Sequence, residues 1–188
     1  MRLIISLFFI LLVFTTPGIA DSEQASPDMP ENMTIDDQPL LLNGAGLRKK
    51  FFIKVYRAGL YLPERSTSTD IISNMPGAKN VRMNILHSKI AAKKSRTAWT
   101  DGLKKNLSET DFAANKAALD QFNALFPDLH KGDQLDITFH PGNGTTITLN
   151  NSLLGTVAGD QFYSALLQIW LGDKPADNNL KQAWLGQR

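Results

Sequence analysis

From Pro39 onward, apolar and polar residues fall in blocks whose period switches between two and about 3.6, the mark of strands and helices packed on one core. Leu40–Leu42 predicts a short strand, and Gly44-Ala45-Gly46 reads as punctuation after it. Phe51–Leu62 alternates as a strand: Phe52, Tyr56, Ala58, Leu60 and Leu62 share one face with Lys54, and Phe51, Ile53, Val55 and Tyr61 share the other. Apolar groups on both faces predict a central strand covered on each side. Ser68–Asn74 predicts a short helix ended by Pro76-Gly77, and Asn80–His87 a strand with Val81, Met83, Ile85 and His87 on one face.

Helical spacing follows over Lys89–Asn106, with Ile90, Trp99 and Leu103 on its apolar stripe. Ser108 opens a second helix, with Asp111 three residues on as a capping box, and Pro127 stops it after Leu125–Phe126. Gly132–Phe139 and Thr145–Leu149 flank His140-Pro141-Gly142-Asn143-Gly144, two β-branched runs around a Gly/Asn turn, and so predict a hairpin. Asn150-Asn151 turns the chain again into a third strand, Ser152–Val157. Gly159-Asp160 opens a helix carrying Phe162, Leu166, Ile169 and Trp170, and Ala176–Leu185 predicts a last short one. Strands, helices, strands, helices in that order make the fold class α+β, with a mainly antiparallel sheet.

The N-terminus changes the picture of where this domain works. Met1–Arg2, the apolar run Leu3–Phe14, the break at Thr15–Pro17 and the small residues Gly18-Ile19-Ala20 have the layout of a cleavable secretory signal. The apolar run is shorter than the ~20 residues of a spanning helix. Residues 1–20 are therefore expected to be a signal peptide, 21–38 a polar, acidic, flexible leader, and 39–188 one folded domain. That layout implies a periplasmic protein with no stable membrane anchor after cleavage. The chain has 20 basic and 18 acidic residues; removing Arg2 leaves 19 against 18, a balance that asks for no nucleic acid. With no cysteine, disulfides, thiol catalysis and thiolate metal sites are closed.

Few residues suggest chemistry by themselves. There is no phosphate-binding glycine loop with its lysine, no nucleophile elbow and no helical histidine pair. His87, His130 and His140 are scattered over strand and loop positions, so neither a metal site nor a cofactor is expected. Arg48, Lys49, Lys50, Lys54 and Arg57 form the one local concentration of charge, which reads as a solvated strand edge whose lysines discourage edge-to-edge pairing. Arg48 stands apart: it follows Gly-Ala-Gly-Leu, and small residues allow close backbone approach that can turn its guanidinium inward.

Three segments carry a family resemblance. Asn43-Gly44-Ala45-Gly46-Leu47-Arg48 followed by Val55-Tyr56-Arg57-Ala58-Gly59-Leu60-Tyr61-Leu62 resembles the opening strands of chalcone-isomerase-like proteins. Trp99-Thr100-Asp101-Gly102-Leu103-Lys104-Lys105-Asn106 resembles their central helix, and Gly155–Leu167 through Trp170–Pro175 the C-terminal stretch of the bacterial branch. The resemblance spans about Leu41 to Leu185 and implies an open-faced β-sandwich, an antiparallel sheet with helices packed on one face and a ligand cleft between.

By the same resemblance, Arg48 matches an arginine that polarises substrate in the plant enzymes and holds a carboxylate in related fatty-acid binders. Tyr56 falls where the enzymes have threonine and the binders tyrosine. Trp99 replaces an enzyme tyrosine that orders catalytic water, and Asn106 matches the enzymes' asparagine. An arginine fork with a phenol suits a carboxylate, whereas an indole N–H cannot relay a proton as a phenol does. The expected function is thus non-catalytic binding of a fatty acid or similar apolar acid through Arg48, Tyr56, Asn106 and Trp99. The rival readings are an isomerase or intramolecular lyase, with Arg48 as electrophile and Asn106 positioning a conjugated substrate, and an envelope interaction protein with a vestigial pocket. One geometric condition governs the site: on a single straight strand Arg48 and Tyr56 would stand roughly 26 Å apart. They meet only if the chain reverses or bulges near Lys50–Phe52, where no Gly, Pro or Asn helps.

Overall fold

A computed structural model describes residues 29–187. The chain runs β1 (Asn32–Ile35), β2 (Gln38–Lys50), β3 (Ile53–Leu62), α1 (Thr69–Asn74), β4 (Lys79–Ile85), β5 (Lys89–Ile90), α2 (Ala92–Asn106), α3 (Glu109–Ala124), β6 (Leu129–His130), β7 (Gln134–His140), β8 (Gly144–Leu149), β9 (Ser152–Val157), α4 (Gln161–Leu171) and α5 (Asn178–Trp184). Seven strands form one curled antiparallel sheet in the order β1-β2-β3-β4-β7-β8-β9, and β5 pairs with β6 apart from it. The helices pack on one face, so the α+β expectation of an antiparallel sheet with one-sided helices is met.

The period-two pattern explains which residues face them. Tyr56, Ala58, Leu60 and Leu62 of β3, and Val81, Met83 and Ile85 of β4, meet Phe162, Leu166, Ile169 and Trp170 of α4 in the main core. The other sheet face is polar at β4 and β7, where Arg82 Nε donates to Asp136 Oδ1 (2.8 Å) and Asn80 to Thr138. Further along, that face closes a small apolar cluster of Met29, Leu40, Ala45, Tyr61 and Ala78. Covering on both sides is what the two apolar faces of β3 predicted.

Turn and cap chemistry follows local rules. Ser68 and Ser108 accept from the backbone N–H groups of Ile71 and Asp111 as helix N-caps. Asn150 and Asn151 both take positive φ (50° and 64°) in the two-residue turn between β8 and β9, a conformation asparagine tolerates.

Three boundaries differ from expectation. Asn32–Ile35, placed by composition in the loose leader, forms β1, because its backbone pairs with Gln38–Leu41 and the neighbouring Met29 is buried. Lys89–Ile90 pairs with β6 rather than opening α2. Most consequential, Gly44-Ala45-Gly46 does not punctuate: β2 runs through it to Lys50, and the reversal falls at Phe51-Phe52.

The glycines are there for α5. A Cβ on Gly44 would lie 2.1 Å from the carbonyl oxygen of Ala183, and one on Gly46 2.9 Å from the Ala183 methyl. Asn43 beside them donates to the Trp184 carbonyl (2.6 Å) and exchanges hydrogen bonds with the Ser66 backbone. Gly44→Ala should therefore lower stability by about 3 kcal/mol in urea unfolding, since neither a carbonyl nor a strand can give way cheaply. Phe51, by contrast, holds φ +55°, where a side chain costs about 1–2 kcal/mol. Phe51→Gly should leave stability unchanged or raise it by up to about 1 kcal/mol in the same assay.

Candidate functional site

Arg48 and Tyr56 are direct cross-strand partners in the β2–β3 hairpin. The two-residue reversal at Phe51-Phe52 satisfies the geometric condition set by the sequence, with a register irregularity between Arg48 and Lys49. The guanidinium carbon of Arg48 stands 5.6 Å from the centre of the Tyr56 ring, within cation–π range. Arg48 is half-buried and makes no ion pair with a carboxylate among the described residues. Its guanidinium donors are thus open to an anion.

Tyr56 is buried, and its hydroxyl accepts from Trp170 Nε1 at 2.9 Å. Burial pushes its pKa from the ordinary 10.0 up to about 12, against the lowering effects of Arg48 and of the Trp170 hydrogen bond. Asp177 adds a smaller push upward. At neutral pH this is a neutral phenol: a donor to an incoming oxygen, not a general base.

Asp177 holds the neighbouring end of α5. Its Oδ1 caps the helix by accepting from Asn179 N (2.9 Å) and Leu180 N (3.2 Å), and its Oδ2 accepts from the backbone N–H of Lys49 (2.9 Å). Asp177 was not among the residues the sequence singled out. The signal was present as a capping residue ahead of Asn178-Asn179-Leu180, but only the fold brings that cap to β2.

Behind Tyr56 lies an aromatic layer. Trp170 packs between Trp99 (ring centroids 5.7 Å apart) and Trp184 (5.5 Å), and Trp99 also touches Phe122 and Phe126. Trp184 Nε1 donates to the carbonyl of Ala58 (3.0 Å), whereas the buried Nε1 of Trp99 has no acceptor among the described residues. Trp170, which helical spacing assigned to the core, is thus also the polar link from the helices to Tyr56.

Asn106 takes a different place from the other three. Its amide nitrogen donates to the carbonyls of Gly102 (2.9 Å) and Lys174 (3.0 Å), and its Oδ1 accepts from Lys174 N (2.8 Å). It staples the α4–α5 connection to the end of α2, and a Cβ on Gly172 would strike its Oδ1 at 2.4 Å. Seven residues along α2 from Trp99, it stands about 10 Å away along the axis. The fold thus gathers Arg48, Tyr56 and Trp99 along one line through Trp170, and spends the Asn106 amide on the backbone.

No three His, Asp or Glu side chains converge as metal ligands among the described residues. His140 bonds to Asp36 and Thr146, and His130 lies 4.0 Å from Asp133. A shallow hollow on the outer flank of α2, lined by Lys93, Arg96, Thr97, Thr100 and Asp101, touches none of the site residues.

Tyr56→Phe should cost about 1–3 kcal/mol of stability, because it strands the Trp170 N–H in the core. Since the folded pKa of Tyr56 exceeds the unfolded one, its contribution is complete below pH 10 and vanishes as pH climbs through 12. About 3 kcal/mol should disappear over that interval, and Tyr56→Phe should lose less there, read by urea unfolding across alkaline pH.

Comparison with known proteins places this architecture. Residues 21–186 match the family model described as chalcone isomerase-like. Fatty-acid-binding protein 1 of Arabidopsis thaliana is 24% identical over 181 residues, covering 81% of this chain but only 64% of that protein's length. The crystal structure of an Arabidopsis thaliana fatty-acid binding protein superposes with a TM-score of 0.68 at 20% identity, covering 84% of this chain and 90% of the other, a likeness of fold. With nearly the whole described chain inside the family match and the fold in agreement, the chain belongs to the chalcone isomerase-like family.

Proposed function

We propose that this protein is a non-catalytic binding module for a fatty acid or similar apolar carboxylate, working in the periplasm after its signal peptide is removed. The observation that carries the reading is Arg48: a half-buried guanidinium with no carboxylate partner among the described residues, held over the face of a buried phenol at the edge of an aromatic layer. A carboxylate can take two parallel charge-assisted hydrogen bonds from such a fork, and leaving the donors unpaired is the costlier state. The Tyr56 hydroxyl, neutral at pH 7, retains a proton to donate as a third bond, and Trp99 Nε1, with no acceptor among the described residues, offers one more donor deeper in the layer.

The apolar tail belongs among Trp99, Trp170, Trp184, Phe122 and Phe126, whose rings must part to admit it. The fatty-acid-binding names of the two Arabidopsis relatives support this ligand class. Absence of turnover is supported by a phenol too weakly acidic to serve as a base and by an indole where proton relay needs a hydroxyl. Export is supported by the family match, which begins at Asp21, directly after the segment with signal-peptide layout.

Native mass spectrometry with lipid extraction, on protein purified from the periplasm beside Arg48→Ala, tests the reading. Wild type should carry an apolar acid, and the variant should lose it or bind at least about tenfold more weakly, the loss of one charge-assisted contact. Added oleate should also change the intrinsic fluorescence, because all three tryptophans of the chain line the layer. Empty wild type that neither takes up oleate nor changes its emission would sink the proposal.

A further inference from the structure

The tip of the β2–β3 hairpin breaks local rules that the rest of the fold obeys. Phe51, Phe52 and Ile53 are 87%, 101% and 53% exposed, three consecutive residues among five large apolar side chains exposed in the described chain. Two-residue hairpin turns favour Gly, Asn or Asp where φ is positive, as Asn150-Asn151 does between β8 and β9. Phe51 occupies such a position at φ +55°. Burial cannot account for these phenylalanines, and turn geometry argues against them.

The charges beside them are also costly. Lys49 and Lys54 face each other directly across the ladder, and Lys50 pairs with Ile53; all three lysines are exposed. Like charges placed opposite one another in an antiparallel pair weaken it. No described carboxylate forms an ion pair with them. Aromatic side chains at the end of a projecting hairpin, ringed by unpaired lysines, are the chemistry that enters the headgroup–acyl boundary of an anionic bilayer.

We propose that the β2–β3 tip is a membrane-docking finger, inserting Phe51 and Phe52 into an anionic lipid surface while Lys49, Lys50 and Lys54 hold its headgroups. The contact is peripheral and reversible: two rings reach the boundary and do not cross it. Each lysine near such a surface strengthens binding about fivefold, so the three together are worth about a hundredfold at low salt. Docking by this tip places Arg48, three residues from Phe51, about 10 Å from the bilayer surface. The finger stands on its own geometry, whether or not Arg48 takes a carboxylate.

Vesicle cosedimentation tests it, with the protein as the cell processes it and liposomes of equal parts phosphatidylglycerol and phosphatidylcholine beside pure phosphatidylcholine. Wild type should bind the anionic vesicles at least tenfold more tightly than the neutral ones, and high salt should erase the difference. F51G/F52S relieves the strained turn and keeps the fold, checked by circular dichroism and urea midpoint, yet should bind at least tenfold more weakly. K49Q/K50Q/K54Q should lose the preference for anionic vesicles. In F52W the new indole should shift its emission to the blue on anionic vesicles and be quenched by brominated lipid. The proposal is overturned if wild type ignores anionic vesicles, if folded F51G/F52S binds them as wild type does, or if the emission of F52W stays unchanged. Retention of oleate by F51G/F52S alongside lost vesicle binding would separate docking from ligand binding.

Discussion

The hydrogen bond from the Trp170 indole to the Tyr56 hydroxyl sets how the two layers of this protein meet. Both groups are buried, and a buried polar atom left unpaired costs more than its bond contributes, so α4 and β3 can pack at only one depth and register. Trp184 repeats the device one helix on, donating to the Ala58 carbonyl of the same strand. Between these two pins the aromatic rings touch edge to face or tilted, the geometries their quadrupoles prefer. Arg48 lies over Tyr56 because that ring is already held in place.

Seen from these pins, the segments that carry the family resemblance are largely a docking apparatus. Gly44 and Gly46 clear a track for α5, Asn43 ties its C-terminal end, and Asp177 ties its start to Lys49. On α2, Trp99, Leu103 and Asn106 share one face, with Gly102 beside them admitting Ile169 at 3.0 Å from where a Cβ would sit. Asn106 then holds the turn into α5. Each of these residues works through shape or backbone bonding, so it serves the packing of the fold whatever chemistry the site performs. Two of the singled-out residues keep polar capacity among the described residues: the Arg48 guanidinium has no carboxylate partner, and the buried Trp99 N–H has no acceptor.

A chain whose local choices mostly agree with its fold makes its exceptions informative. Phenylalanine at positive φ, two solvated aromatic rings and facing lysines are three such exceptions within six residues, adjoining the strand pair that carries Arg48 and Tyr56. The same tip solves the site's geometric problem, because its reversal is what turns eight residues of chain into a cross-strand contact. Strain at Phe51 is therefore tied both to assembling the site and to what the hairpin presents outward.

The sequence by itself determined the elements whose signals are local. Alternation separates the faces of β3 and β4, β-branched runs around Gly/Asn turns make β7, β8 and β9, and serine caps start α1 and α3. It also marked Arg48, Tyr56, Trp99 and Asn106, through motif likeness rather than spacing. Only tertiary structure decided what they touch, because no local rule reveals that Tyr56 meets Trp170 or that Asn106 meets Lys174. Gly44 read as a break until α5 occupied the space it leaves, and Asp177 read as a cap until its second oxygen met Lys49. The reversal at Phe51-Phe52 was illegible for the opposite reason: its residues are those a hairpin turn avoids, and only the pairing of β2 with β3 holds them there.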